Sequence, residues 1–224
     1  MKTLIKKFKS LAYIYLLISI VVVAIMGFLS HKLKNMYILN VMFNEIILIL
    51  FIIPGLLLVS NKEVNVLFKN ELIYRYGSKK KFIFAIFAKM VLISIILACI
   101  YIFLSKIIVS YFQINIQRYV VSLTLSFFLM FMVLQVLNTI FFVIIKNKMI
   151  SMLLVICLLI STTVFNFFLK IQNFSYEYFF IIYKSESNPL LYLLFDMILF
   201  LILASLLIFL IKKIEAYGYE KIKK

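Results

Sequence analysis

Six apolar runs, each long enough to carry a helix across a bilayer, leave this chain few folds to choose from. A crossing helix needs about 20 apolar residues at a rise of about 1.5 Å each. The runs lie near residues 11–29, 37–59, 83–105, 119–145, 149–169 and 190–211. In hydrocarbon, every backbone N–H and C=O must be bonded within its own segment or a closed barrel, and runs this long and continuous predict helices. Composition agrees: 66% of the 224 residues are hydrophobic, where a soluble domain has about half. The expectation is an all-α polytopic membrane protein with six transmembrane helices, a single transmembrane domain over residues 1–224.

The opening MKTLIKKFKS is basic enough for the n-region of a signal peptide. The apolar run behind it is too long for an h-region, and no A-x-A-like site follows, so it reads as a retained span. The net charge of +16 would suggest nucleic acid in a soluble protein. Here the bases stand between apolar runs, where topology and anionic lipid headgroups account for them and no nucleic-acid partner is implied. With both termini in the cytoplasm, 17 of the 24 Lys and Arg fall on the inner side. They come from the N-terminal tail, the loop 60–82, the turn after the fourth run and the C-terminal tail. The outer side holds Lys32, Lys34, Lys106, Arg118, Lys170 and Lys184. The positive-inside rule therefore predicts cytoplasmic termini. Richness in Ile, Lys, Phe, Asn and Tyr points to an AT-rich, bacterial genome and hence to the bacterial cell membrane.

Few residues offer chemistry. His31 is the only histidine, and Cys99 and Cys157 lie inside apolar runs, where they read as small buried hydrophobes. There is no metal-ligand spacing, no G-x-S-x-G, no H-E-x-x-H and no G-x-x-x-x-G-K-[ST]. The chain is not expected to be an enzyme, to hydrolyse ATP or to bind a cofactor or metal.

Polar residues within the runs are few. Glu45 lies in the second run and Asp196 in the sixth. Charges in hydrocarbon are costly and face a cavity, a partner or the headgroups. Two readings stay open: each sits near the outer headgroups or is protonated there, or both line an outward vestibule that attracts a cationic substrate. Gln135, Asn138 and Thr139 share one face of the fourth run at i, i+3 and i+4. They suit bonds to a neighbouring helix or, alternatively, contact with a substrate. Ser161, Thr162, Thr163 and Asn166 invite the same reading or bonds to their own backbone. Pro54-Gly55 should bend the second run, as a static kink or as a hinge. Lys89, inside the third run, can snorkel towards the inner surface. The outer loop 170–189 is apolar enough around Phe179-Phe180-Ile181-Ile182 to dip back into the membrane.

The longest polar interruption is NKEVNVLFKNELIYRYGSKKKF, residues 61–82. Ser60-Asn61-Lys62-Glu63 has the S-x-x-E form of a capping box and predicts a helix start. Val64, Leu67, Phe68 and Leu72 then form one apolar stripe. Gly77 suits a helix stop and Ser78 the cap of the next helix. Such a helix can lie on the membrane or dock a cytoplasmic partner.

The run Leu72-Ile73-Tyr74-Arg75-Tyr76-Gly77-Ser78-Lys79-Lys80-Lys81-Phe82, with Lys89 beyond it, resembles the segment between spans two and three of small ABC-2-type transporter permeases. The six-span layout and the length are similar to theirs as well. The resemblance implies a permease subunit of an ATP-driven exporter of amphipathic or hydrophobic peptides, toxins or antimicrobial peptides. Residues 61–75 would be the coupling helix, with Glu63, Val64, Leu67, Phe68, Glu71, Leu72 and Arg75 docking a separate ATPase. Two ATPase copies, holding ATP and Mg, would serve two permeases, identical or sister chains. The N-terminal tail would be a short amphipathic helix along the inner leaflet. Gln135 and Asn138, with Glu45 and Asp196, are candidate pathway residues, and Pro54 and Gly55 the candidate hinge. The rival from another class is a stand-alone immunity or sensor accessory protein. Lipid or a small drug is an alternative cargo.

Overall fold

A computed structural model describes residues 2–34, 47–68, 78–111, 120–169 and 189–220. Its side chains are given for 11–29, 47–68, 124–161 and most of 78–107 and 194–213. Glu45, Glu71, Leu72, Arg75 and the outer loop lie outside the described residues. Every regular element described is helical. They are α1 (Lys2–Lys34), a π-turn (Leu48–Ile52) running into α2 (Ile53–Glu63), a 3-10 turn (Asn65–Phe68), α3 (Lys79–Tyr111), α4 (Val120–Ile145), α5 (Lys148–Leu169) and α6 (Pro189–Glu220).

Among the described residues, four helical stretches are long and apolar enough to cross a membrane: Leu11–Leu29, Leu48–Phe68, Lys80–Leu104 and Thr124–Ile145. Large apolar side chains stand outward along them, such as Leu17 and Ile18 on α1 and Phe84, Leu92 and Phe103 on α3. Apolar surface this extensive on a helical bundle points to a membrane-embedded protein. Cys99 and Cys157 belong to this outward face. The expected buried placement is corrected: both fall on the side of their helix turned away from the protein core, where hydrocarbon can solvate a thiol as well as a core can.

α4 is the centre of the bundle, packed by α3, α5, α6 and α2. Of its apolar window 67% is buried, against 28% for α1 at the periphery. α3 and α4 run antiparallel, since Tyr101 meets Phe127 while Met90 and Ser94 meet Gln135. α1 packs along α2 and the π-turn.

Three local features explain the path. The N-terminal tail is not a separate helix: α1 is continuous over 33 residues, with no glycine or proline before Gly27 to break it. Pro54 has no N–H to donate, and the chain widens just before it. The Ile53 N–H reaches back to the Leu48 carbonyl, a five-residue bond of the π type, which absorbs the disruption and lets Pro54 open α2. Gly55 marks where α1 and α2 nearly touch: a Cβ there would sit 2.7 Å from Leu16 Cδ1 and 3.2 Å from Leu16 Cα. The Pro-Gly pair thus has a packing role whether or not it also bends. Finally, α4 and α5 are joined by two residues. Lys146 takes a positive φ of 60°, and Asn147 Oδ1 accepts the N–H of Met149 and of Ile150 at 3.0 and 3.3 Å, capping α5.

Candidate functional site

The polar chemistry gathers at two levels. The first is the end of the bundle where α2 finishes and α3 begins. Ser60 is not a helix cap there. α2 runs through it, its carbonyl accepts the Val64 N–H at 2.8 Å, and its hydroxyl is fully buried. A capping residue needs a non-helical backbone, which a helix arriving from Ile53 denies it. The expected separate helix start at residue 61 is therefore corrected: residues 53–63 are the end of a span, and Asn65–Phe68 tighten into a 3-10 turn. Ser78 does cap α3, accepting the Lys81 N–H on Oγ at 3.3 Å.

The apolar stripe of this segment faces the bundle. Val64 and Leu67 are buried, with 0% and 4% of their surface exposed. Phe68 sets its ring edge-on to Phe82 and Phe142, at 5.5 and 5.8 Å between centroids. Each buried side chain of this size stabilises by about 1.5–3 kcal/mol. As contact residues for a partner, Val64 and Leu67 are corrected: they hold the segment to its own helices.

Behind that stripe is a network of amides, of which only Asn138 stood out in the sequence. Asn61 Nδ2 donates to the Lys148 carbonyl at 3.0 Å. That carbonyl can only accept, so the Asn61 amide is fixed with Oδ1 facing the other way. Oδ1 accepts from Asn138 Nδ2 at 2.9 Å and from Asn65 Nδ2. One side chain therefore pins the end of α2 to α4 and to the start of α5. The available signal was the spacing Asn61 and Asn65, i and i+4 on one helical face, opposite a second buried amide.

Glu63 makes the second joint of this end. Its Oε1 accepts the Tyr13 hydroxyl at 3.0 Å, and Lys89 Nζ donates to its backbone carbonyl at 3.1 Å and to Oε2 at 3.4 Å. Lys62 Nζ stands 5.1 Å from the centroid of the Tyr13 ring, a cation–π distance. α1, α2 and α3 meet in one carboxylate. Lys89 reaches along its helix as expected of a snorkelling lysine, but ends on a partner.

The second level is deeper. Gln135 Nε2 donates to the Met90 carbonyl at 3.2 Å and to Ser94 Oγ at 2.7 Å, tying α4 to α3. Thr139 bonds its own backbone at the Gln135 carbonyl, and Ser161 that of Leu158. Asp196 on α6 is fully buried. Among the described residues, neither of its carboxylate oxygens, nor Gln135 Oε1, has a hydrogen-bond partner. Gln135, Asn138 and Asp196 are thus buried residues, with Asn138 in the joint at the end of α2 and Gln135 in the deeper layer. Among the described residues, no group of three or more His, Cys, Asp or Glu could hold a metal ion. No protein-family model, no curated protein and no solved structure matches this chain.

Proposed function

We propose that the chain is a permease subunit of an ATP-driven ABC-2-type exporter in a bacterial cell membrane, crossing six times with both termini in the cytoplasm. Amphipathic or hydrophobic peptides are the proposed cargo, and two ATPase subunits, carrying ATP and Mg, the proposed engine. The observation that supports it is the joint at the end of α2. The end of α2, from which the polar segment leads on, is bonded through Glu63 to α1 and α3 and through Asn61 to α4 and α5. A force applied to residues 69–77 would therefore reach five helices through two side chains, as a coupling segment requires. In this reading Val64, Leu67 and Phe68 are the root of the segment. Glu71, Leu72 and Arg75 are its docking residues, while Gln135 and Asp196 line the pathway.

Burial of Val64 and Leu67 also favours a second reading, a stand-alone membrane protein with no ATPase partner. Co-purification from the native membrane in mild detergent separates the two. Wild type should bring down an ATPase chain, and Leu72→Asp/Arg75→Glu should lose it while keeping its yield. Wild type arriving without an ATPase overturns the exporter reading. Leu67→Asp would not serve, because it strikes the core rather than a docking surface.

A further inference from the structure

We infer that Asp196, Gln135 and Ser94 form a binding site for a monovalent cationic group, set deep in the bundle between α3, α4 and α6. The level of Asp196 rests on the six-crossing reading, in which α6 runs antiparallel to α3. Phe200, one turn further along the same face of α6, meets Phe87 of α3 edge-on at 6.4 Å between ring centroids. Four helical residues rise about 6 Å, so Asp196 stands at the level of Val91. Gln135 bonds α3 at Met90 and Ser94, which bracket that level. Asp196, Phe200, Ala204, Leu207 and Ile211 follow one stripe of α6, the side packed on α4 and α3.

This layer is short of donors. The Met90 carbonyl can only accept, so it fixes the Gln135 amide with Nε2 towards α3 and leaves Oε1 as an acceptor. Oε1 is buried and unpartnered among the described residues, as are both oxygens of Asp196. Ser94 Oγ is a fourth buried oxygen. Lys89, the nearest base along α3, is turned to Glu63. A buried carboxylate with no partner is strongly unfavourable, and intramembrane acids pair with a counter-charge. One carboxylate and two neutral oxygens suit a single positive charge. A calcium or magnesium site would call for more oxygen ligands or bound waters, and a soft metal for nitrogen or sulfur. The group is either a free alkali ion or the ammonium of an amphipathic molecule.

The test is thermal unfolding of the purified full-length protein in detergent, with three probes at equal ionic strength: sodium chloride, a primary alkylammonium chloride, and N-methylglucamine chloride as the bulky control. The expected result is a saturable rise in Tm with sodium or with the alkylammonium, absent with the control. Sodium alone responding identifies an ion site; the alkylammonium alone identifies a site for an amine-bearing cargo. Asp196→Asn should abolish the rise and Asp196→Glu should keep part of it. Gln135→Leu, which retains the acid, should weaken apparent affinity about tenfold, the loss of one hydrogen-bond-scale ligand. A wild type that responds equally to all three probes, or a response that survives in Asp196→Asn, overturns the site. Neither result bears on ATPase co-purification, so the two readings fail separately.

Discussion

Two carboxylates and two amides of this chain are treated in opposite ways at its two polar levels. Glu63 keeps 26% of its side chain exposed and has Tyr13 and Lys89 as partners. Asp196 is wholly buried, and among the described residues neither carboxylate oxygen has a hydrogen-bond partner. Asn61 uses both ends of its amide, while Gln135 uses only the nitrogen. The first pair belongs to a joint that fastens helix ends. The joint also leaves neutral acceptors unpaired among the described residues, at Ser60 Oγ, Asn65 Oδ1 and Asn138 Oδ1, but the second pair includes a whole carboxylate. A stabilising role is enough for the first; a carboxylate in the second costs stability unless a proton or a cationic group neutralises it.

The largest expected effect is at the joint. Asn61→Leu leaves the donors of Asn65 and Asn138 buried without their partner, while the Lys148 carbonyl still accepts from Ser151 Oγ at 2.9 Å. At roughly 1–3 kcal/mol per stranded group, partly relieved by rearrangement, the loss should be about 3 kcal/mol. Thermal or denaturant unfolding in detergent measures it. A loss under about 1 kcal/mol would mean the two amides find other partners and the joint is not fastened by Asn61.

Next comes Gly55→Val, which sharpens the question of hinge against packing. The new Cβ must displace Leu16, whose Cα lies only 3.2 Å away, and overpacking of this kind costs about 1–3 kcal/mol. Leu16→Ala should restore much of the loss by making room. Rescue in the stability assay marks Gly55 as a close-approach position. Full stability with lost transport would mark a hinge instead.

Gln135→Leu applies the same chemical change as Asn61→Leu one level deeper and should cost far less, within about 1 kcal/mol. The Gln135 side chain takes an unsatisfied acceptor away with it, and the helical Met90 carbonyl keeps its backbone environment. Equal costs at 61 and 135 would break the distinction between the two levels.

How far these levels were legible in the sequence follows from which residues carry them. Hydropathy runs locate helices because hydrocarbon forces backbone bonds inward, and the limits of α4 and α5 nearly coincide with the expected 119–145 and 149–169. The S-x-x-E signal at Ser60 misled because a capping box is a local pattern, and the span from Ile53 simply continues through it. The stripe of Val64 and Leu67 was visible, but amphipathicity does not say whether the oily face meets lipid, a partner or its own bundle. Asp196, Gln135 and Asn138 were marked by polarity alone. The hub role of Asn61 was not, because its bonds span 77 and 87 residues and exist only once α2, α4 and α5 are packed.

The smallest effect tests the exposed side of the comparison. Glu63 and Lys89 are 3.4 Å apart with 26% and 39% of their side chains exposed, so solvent screens much of their attraction. A double-mutant cycle of Glu63→Gln and Lys89→Met should give a coupling of about 0.5 kcal/mol. Raising salt should shrink it, since the screening length falls to about 3 Å at 1 M. Tyr13→Phe alone should cost a similar amount, the net worth of one hydrogen bond to a half-exposed carboxylate, roughly 0.5–1 kcal/mol. Measured in detergent and again in lipid nanodiscs, the cycle also reports the depth of the joint. Coupling that stays small and salt-sensitive in both keeps Glu63 at the water boundary, where a partner could act on it. Coupling above about 2 kcal/mol in lipid would place the ion pair beyond solvent. Glu63 would then resemble Asp196 in its surroundings and differ from it only in having found its counter-charge within the chain.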